Sequence, residues 1–494
     1  MTRRLIIAWL IPLICACPGE SPPPRHDGAV VDGSPDAEPI PATCGNTVKD
    51  PAEECDDGND DNTDACLNTC KLAYCGDGHM QKNVEECDDG NQIDNDACSL
   101  SCRSQEFSVN AITVQDQRYP AVAVQSDSTI LVVWQDGSAS GGDTSGTTIR
   151  LRRFDLKGKA LDSTELVLPT TTTKDQRDPA IAVNAQDQAL VVWTDWSTGS
   201  GDTSGTAVRG RLVGKAGAPV GQDVLINSTT TGSQSAPAVT ATPGGFAVVY
   251  NDTSIGGSSH GTDVRLRLVS ATGQPTGSDK QANSTNQGDQ MWPDVAAAPG
   301  GNLLVVWQSW SNDDAEKDGI GIGMRLFNPS GSAVTGEKIL NAIGTGEQEN
   351  PRVVFDASGG QFVVVWDDGS TQGADSDGLS IRMRLVSTGG QAGAQESVMN
   401  TTTTGSQRHP AVAAATGTTA IVWEDGGQPA QGLDVRARRY GKDATDQLVN
   451  TTTSQDQALP AVAVTSSGHT VVVWEGTGAT SDPGYGIRMR ILAP

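Results

Sequence analysis

The chain is poor in aromatic residues, poor in cations and without a membrane-length apolar run. Aromatics are 4% of its 494 residues, whereas glycine occurs 57 times, a composition that suits many short strands joined by turns rather than one core of bulky side chains. No helical period of useful length is present. Lys and Arg number 34 against 60 Asp and Glu, a formal charge of -26. That excludes nucleic acid as a partner, because phosphate binding needs the opposite sign, and leaves a basic ligand or a divalent cation compatible. The five histidines, His26, His79, His260, His409 and His469, are scattered and show no metal-ligand spacing. No free cysteine is left for a nucleophile, because the cysteines outside the first 17 residues all fall within residues 44–102. Ser259 sits in a GSSHG string, but between two strands instead of at the strand-to-helix turn that a nucleophile elbow needs. No non-repeating acidic pair stands out either, so no catalytic residue is assigned.

What is present begins with an export signal. Arg3 and Arg4 precede an apolar stretch, residues 5–14, that is too short to cross a bilayer and ends in small residues. The string ICAC ending at Cys17 resembles a bacterial lipobox closing a signal peptide over residues 1–17, which implies lipidation of Cys17 as the mature N-terminus after removal of the residues before it, and a membrane held only through a lipid anchor. Pro18 after the cysteine points to the outer membrane or cell surface, with free secretion as the alternative. Residues 18–43 are rich in Pro, Asp, Gly and Ala and read as a disordered tether.

Residues 44–102 hold eight cysteines in two matching sets: Cys44, Cys55, Cys66 and Cys70, then Cys75, Cys87, Cys98 and Cys102. An even count at repeated spacing in an exported chain predicts disulfides, with zinc the alternative. Units this short, almost without aliphatic residues, need cross-links to fold. Four cysteines per unit allow three pairings, and the spacing does not choose among them. The loops CDDGNDDNTDAC and CDDGNQIDNDAC, the opening CG and the preceding EEC resemble the myxobacterial cysteine-rich repeat of exported multidomain proteins. The same stretch carries 15 Asp and Glu against three Lys. Hard cations take several oxygens from such loops, so calcium is the expected ion. Its expected ligands are the positions the two units share, Asp56, Asp57, Asn59 and Asp64 in the first and Asp88, Asp89, Asn91 and Asp96 in the second. Asx-turns, in which these side chains cap their own backbone, are the competing account.

From residue 103 to 494 one pattern recurs at a period of about 58 residues. A strand opens at Pro120, Pro179, Pro237, Pro293, Pro351, Pro410 and Pro460, and an apolar run closes at Trp134, Trp193, Tyr250, Trp307, Trp366, Trp423 and Trp474. A loop of Asp, Gly and Ser, a third strand with Arg at i and i+2, and a polar fourth strand complete each copy. The apolar runs read as strands covered on both faces. The prediction is an all-β fold, a seven-bladed β-propeller of four-stranded blades preceded by a small disulfide-rich module. The last copy stops one strand short, while an orphan strand precedes the first. Residues 107–110 are therefore expected to pair with 486–491 and close the ring.

The recurring arginines, and Asp136, Asp195, Asp252, Asp368 and Asp425 two residues past the aromatic, are expected to bridge neighbouring strands or blades, because a ligand site is normally made once. The sequons at Asn227, Asn283, Asn400 and Asn450 read as repeat chemistry. Function is to be sought where copies disagree: in the fourth copy, with Ser309 and Gly323, and at Trp196, Trp292 and Trp310, which are candidate sugar-stacking surfaces. The leading expectation is a surface-anchored or secreted binding protein whose partner is a cell-surface glycan or protein. A propeller glycoside hydrolase or polysaccharide lyase is the alternative, favoured by blade-specific acids at one mouth of the ring; a purely structural envelope component is the third.

Overall fold

A computed structural model describes residues 44–494 apart from 83, 94–96, 144, 200, 255–260, 285–287, 311–318, 371, 373–374, 376, 428–431 and 478–483. Cys17, the tether, Asp96 and most of the GSSHG string lie outside the described residues. Every regular element among those described is a strand. They form seven four-stranded antiparallel sheets. In blade 1 the strands are Gln117–Val124, Ile130–Asp136, Thr148–Phe154 and Leu166–Val167, named A to D. The A strands of the other blades are Gln176–Val183, Gln234–Thr242, Gln290–Ala297, Gln348–Asp356, Gln407–Ala415 and Gln457–Val464. Each A strand touches the next and the last touches the first, so the A strands form a closed inner ring.

The apolar B strands explain why the blades stack. Leu131 and Val133 pack into a core with Ala189, Val191 and Trp193 of blade 2. Their neighbours Val132 and Trp134 point the other way, into a core with Val471 and Val473 of blade 7. Alternation with period 2 thus covers both faces of one strand. The arrangement repeats at all seven interfaces, and the aromatic that ends each B strand is fully buried against the preceding blade.

Ring closure follows the sequence expectation. Strand Glu106–Ser108 joins Gly486–Leu492 in the last sheet, with Phe107 opposite Met489. Beyond it, Val109 N–H donates to Ile487 O at 2.8 Å. Asn110 then accepts from Ile487 N at 2.7 Å and donates to Ile112 O and to Gln117. Asn227, Asn341 and Asn400 make the same three contacts at the ends of other D strands. The amino-terminal segment therefore replaces a D strand contact for contact. The sequon side chains Asn227, Asn283, Asn400 and Asn450 are all buried and bonded in this role.

The cysteines form four disulfides, first with fourth and second with third in each set: Cys44–Cys70, Cys55–Cys66, Cys75–Cys102 and Cys87–Cys98. Contacts divide the chain into two compact units, residues up to Asp61 with Cys66–Leu72, and Asn62–Ala65 with Ala73–Pro494. Within the second unit, Ala97 packs with Phe107 and Phe154, and Ser104 Oγ donates to Ile491 O at 2.6 Å. The second cysteine repeat is thereby seated on the seam where the ring closes.

Candidate functional site at one mouth of the ring

Strand A starts, and strand B ends, at the same end of each blade, so the B–C loops and D–A connections all emerge at one mouth. There every A strand carries a bulge. In blade 1 the register runs from Arg118 opposite Gln135 to Ala121 opposite Val133, leaving Tyr119 and Pro120 against Trp134. The residue before each proline has a left-handed backbone: Tyr119 (φ 52), Asp178 (53), Ala236 (49), Trp292 (52), Asn350 (50), His409 (49) and Leu459 (47). Proline ordinarily pushes its predecessor into extended conformations, and a non-glycine residue held here costs about 1–3 kcal/mol. In five blades the neighbouring blade holds it in place. A side chain just past its aromatic accepts the strained N–H: Thr194 from Ala236, Asn251 from Trp292, Asp367 from His409, Glu424 from Leu459 and Glu475 from Tyr119, at 2.7–3.3 Å.

The backbone device is repeated, but its side chains are not. In blades 5 to 7 the accepting positions are all acidic, and this is the blade-specific acid cluster that the sequence was expected to lack. Asp367 is buried; its Oδ2 accepts from Asn350 Nδ2 at 2.8 Å and His409 N, while Oδ1 has no partner among the described residues. Burial carries its pKa up to about 7, against the opposing pull of Asn350 and His409. Burial likewise carries Glu475 up to about 7, although Tyr119 N–H and Arg118 favour its charged form. Glu424 moves the other way. Burial is outweighed by His409, Leu459 N–H and Arg408, and its pKa is lowered. Its Oε1 lies 2.9 Å from His409 Nδ1, a close ion pair rather than a well-aligned hydrogen bond, and Oε2 accepts from Arg408 Nε at 3.0 Å. The sequence signal was available in two aligned columns. The residue after each aromatic reads Gln, Thr, Asn, Gln, Asp, Glu, Glu, and the residue before each proline reads Tyr, Asp, Ala, Trp, Asn, His, Leu.

Across blades 1 to 3 the same mouth opens into a cavity of about 340 Å³ lined by Tyr119, Gln135, Arg177, Asp178, Thr194 and Trp196, among others. The Arg177 guanidinium lies 5.5 Å from the Trp196 ring centroid and pairs with Asp175 at 2.6 Å. Gln135 Oε1 and Arg177 Nε are buried and have no partner among the described residues. Burial raises the pKa of Asp178, against Thr194 and Arg177. The three tryptophans singled out from sequence are exposed at 46%, 47% and 43% for Trp196, Trp292 and Trp310. Trp292 is the bulge residue of blade 4. Trp196 and Trp310 follow the B strands of blades 2 and 4, each fixed by its N–H, to Asp175 O and Asp289 O.

The repeated charges are structural. In blades 1, 2, 3, 5 and 6 the first arginine of the pair meets the repeated aspartate of its own blade, as in Arg209–Asp195 at 2.6 Å and Arg265–Asp252 at 2.7 Å, whereas in blade 7, with Gly476 in place of the aspartate, Arg488 donates to Ser108 Oγ. The second commonly reaches a carbonyl at the D-strand end of the preceding blade, as in Arg152 to Val109 O, Arg211 to Leu168 O and Arg490 to Val449 O at 2.6–2.7 Å, while Arg267 pairs with Asp279 of its own blade. Blade 4 departs from this, and so does blade 7, where Gly476 replaces the aspartate and the Trp474 indole N–H donates to Gln457 at 2.9 Å. A Cβ on Gly323 would meet the Trp307 indole at 2.4 Å, and with no aspartate at Ser309 the indole N–H donates instead to Gln290 at 2.8 Å.

In the cysteine repeats, Asp56 accepts the N–H groups of Gly45, Asn46, Thr47 and Gly58, and Asp88 those of Gly76, Asp77, Gly78 and Gly90, at 2.8–3.2 Å. Asp57 and Asp89 accept from Asn59 N and Asn91 N, whose own side chains accept from Asp61 N and Ile93 N. Asp64 is half-buried two residues before Cys66. The glycine after each opening cysteine is required: Gly76 has φ +90, and a Cβ there would stand 2.2 Å from Asn91 O. The grouping of Glu85, Asp88 and Cys102 offers no thiolate, because Cys102 is in a disulfide.

Residues 67–103 match a family described as a domain of unknown function, DUF4215. A 32-residue stretch is 62% identical to the acetylcholinesterase collagenic tail peptide of Torpedo marmorata; it is 6% of this chain and 7% of that protein, so the chain spans a small fraction of that relative. Among solved structures, an ulvan lyase of polysaccharide lyase family PL25 gives a TM-score of 0.50 at 11% identity, over 78% of this chain and 95% of that one. The GH93 α-L-arabinofuranosidase of Fusarium graminearum gives 0.44 at 11%, over 78% and 96%. A protein of unknown function from Dyadobacter fermentans gives 0.47 at 9%, over 79% and 98%. At these identities the likeness is one of fold. The chain carries a disulfide-bonded DUF4215 segment followed by a seven-bladed β-propeller of four-stranded blades.

Proposed function

We propose that the protein is an exported glycan-binding protein that holds a sugar chain across the mouth where the B–C loops emerge. One observation carries the reading: every exposed tryptophan that breaks the repeat, and the cavity of blades 1 to 3, lie at that mouth, whereas the repeated arginines, aspartates and asparagines bridge strands and blades. A flat, half-exposed indole beside unpartnered polar atoms is what a sugar ring takes, stacking on its apolar face and hydrogen bonding at its rim. Four disulfides fit an oxidising, extracytoplasmic compartment. Attachment through a lipid on Cys17 and use of the cysteine-rich segment as a spacer belong to the same proposal.

The test is retention of the full chain in native gels containing a soluble neutral glucan, an arabinan, a chitosan oligomer or a polyuronate. At least one polymer is expected to retard it, and Trp196→Ala to weaken that binding by about tenfold or more. Unretarded migration in every polymer would remove the glycan. Calcium is the ion proposed for the Asp/Asn loops, whose hard oxygens are its donor type, although Asp56 and Asp88 already serve four N–H groups each. An unfolding midpoint that rises with calcium and falls with chelator is the expected outcome; an unchanged one removes the ion.

A further inference from the structure

We propose that His409 and Glu349, brought together from blades 6 and 5 at the mouth, form an acid–base pair that hydrolyses a glycosidic bond of the bound glycan. This rests on the glycan-binding reading and adds chemistry to it. The constellation is made once in the ring. No other blade has histidine before its proline, and none has a glutamate immediately before its left-handed bulge residue, as Glu349 precedes Asn350.

His409 is held by two carboxylates. Its backbone N–H goes to Asp367, and its Nδ1 faces Glu424, which is itself held by Leu459 N–H and Arg408. The side chain nevertheless keeps 37% of its surface exposed, and Nε2 makes no hydrogen bond among the described residues. A carboxylate behind Nδ1 selects the ring orientation that leaves Nε2 to a ligand. Glu349 accepts one hydrogen bond, from Gln308 Nε2 at 3.1 Å, and its charge interacts with that of His409. Both sit on bulges whose left-handed backbone is held by Asp367, through Asn350 Nδ2 and His409 N. Strain of this kind, stored in two adjacent inner strands, keeps side chains in one place at a site.

The protonation states assign the roles. Burial works against the imidazolium, but Glu424 and Asp367 outweigh it even with Arg408 opposing, so the pKa of His409 stands above its ordinary 6.5. Burial and Glu347 raise Glu349 above its ordinary 4.5, against Gln308 and His409. The raised imidazolium of His409, backed by Glu424, suits the acid, and the Glu349 carboxylate on the neighbouring blade suits the base. His409 gives its Nε2 proton to the glycosidic oxygen as the C1–O bond breaks. Water bonds to C1 and loses its proton to Glu349. One new reducing end forms, and the proton returns from Glu349 to His409 through solvent, with no reactant but water.

The full chain is incubated with the four polymers named above, reading new reducing ends and the ultraviolet absorbance of unsaturated uronate. The expected result is reducing ends without unsaturated product, from a polymer that also retards the protein. His409→Asn and Glu349→Gln should each slow release by roughly 100-fold or more, with unchanged melting curves showing that they fold. The rate should be bell-shaped in pH. Glu424→Gln, a change in a positioning residue, should move the alkaline limb to lower pH by weakening the hold on the imidazolium, a shift that a packing role would not produce. Retention without cleavage overturns this proposal and leaves the binding reading intact. Unsaturated product, or cleavage that survives His409→Asn, also overturns it. Absence of retention by every polymer overturns the binding reading beneath it.

Discussion

Asp367 shows what a single residue at the mouth costs the fold. Its pKa is about 7 in the folded protein against an ordinary 3.8. Between those values the native state keeps a proton that the unfolded chain has lost, so stability falls as pH rises through that window and the full penalty applies above about pH 7. Asp367→Asn removes the charge and keeps an oxygen for Asn350 and His409. Its unfolding free energy should exceed that of the parent at pH 8, by an amount on the order of a few kcal/mol, and the two should converge toward pH 4. A gap independent of pH in denaturant titrations would show that Asp367 is ionised and paid for in some other way. The aligned columns mark this residue as acidic, but why its role was hidden in the sequence is also physical. The rule that proline keeps its predecessor extended hides the bulge. Without the bulge, Asp367 is one more polar residue at a strand end, and nothing in the chain says that His409, 42 positions on, donates to it.

At the scale of the element, the strands were legible because their periods are local. B strands buried on both faces read as continuous apolar runs, and the missing fourth strand could be counted. The partners of the repeated arginines were not, since the same Arg-x-Arg string serves its own blade with the first residue and the preceding blade with the second. Nor was the exchange in blades 4 and 7, where loss of the aspartate leaves the glutamine oxygen to accept from the Trp307 or Trp474 indole N–H. The closing strand gives the sharpest test. Asn110 satisfies Ile487 N, Ile112 O and Gln117 across the seam. Asn110→Ala leaves buried partners unpaired and should cost about 1–3 kcal/mol in denaturant unfolding. Deleting the chain before residue 111 bares the edge of Gly486–Leu492 and should drive aggregation, read by light scattering. A soluble, equally stable truncation would mean that the seam holds without its D strand.

For the whole molecule, stability comes from two separate sources, and one reagent should divide them. The ring has seven apolar interfaces, each sealed by a buried aromatic, and among the described residues their only cysteine-repeat contribution is Ala97. The first cysteine repeat buries little besides its own sulfurs and Leu67. Its nested loops, closed over sequence separations of 26 and 11, supply most of what orders it. Each such cross-link stabilises by about 2–4 kcal/mol, chiefly by restricting the unfolded chain. Reduction should therefore unfold the first repeat at ambient temperature while the propeller's main calorimetric transition stays within a few degrees of its oxidised position. Because the mouth residues belong to the ring, glycan retention should survive the same treatment. Loss of retention on reduction, with the main transition intact, would relocate binding from the propeller to the cysteine-rich segment.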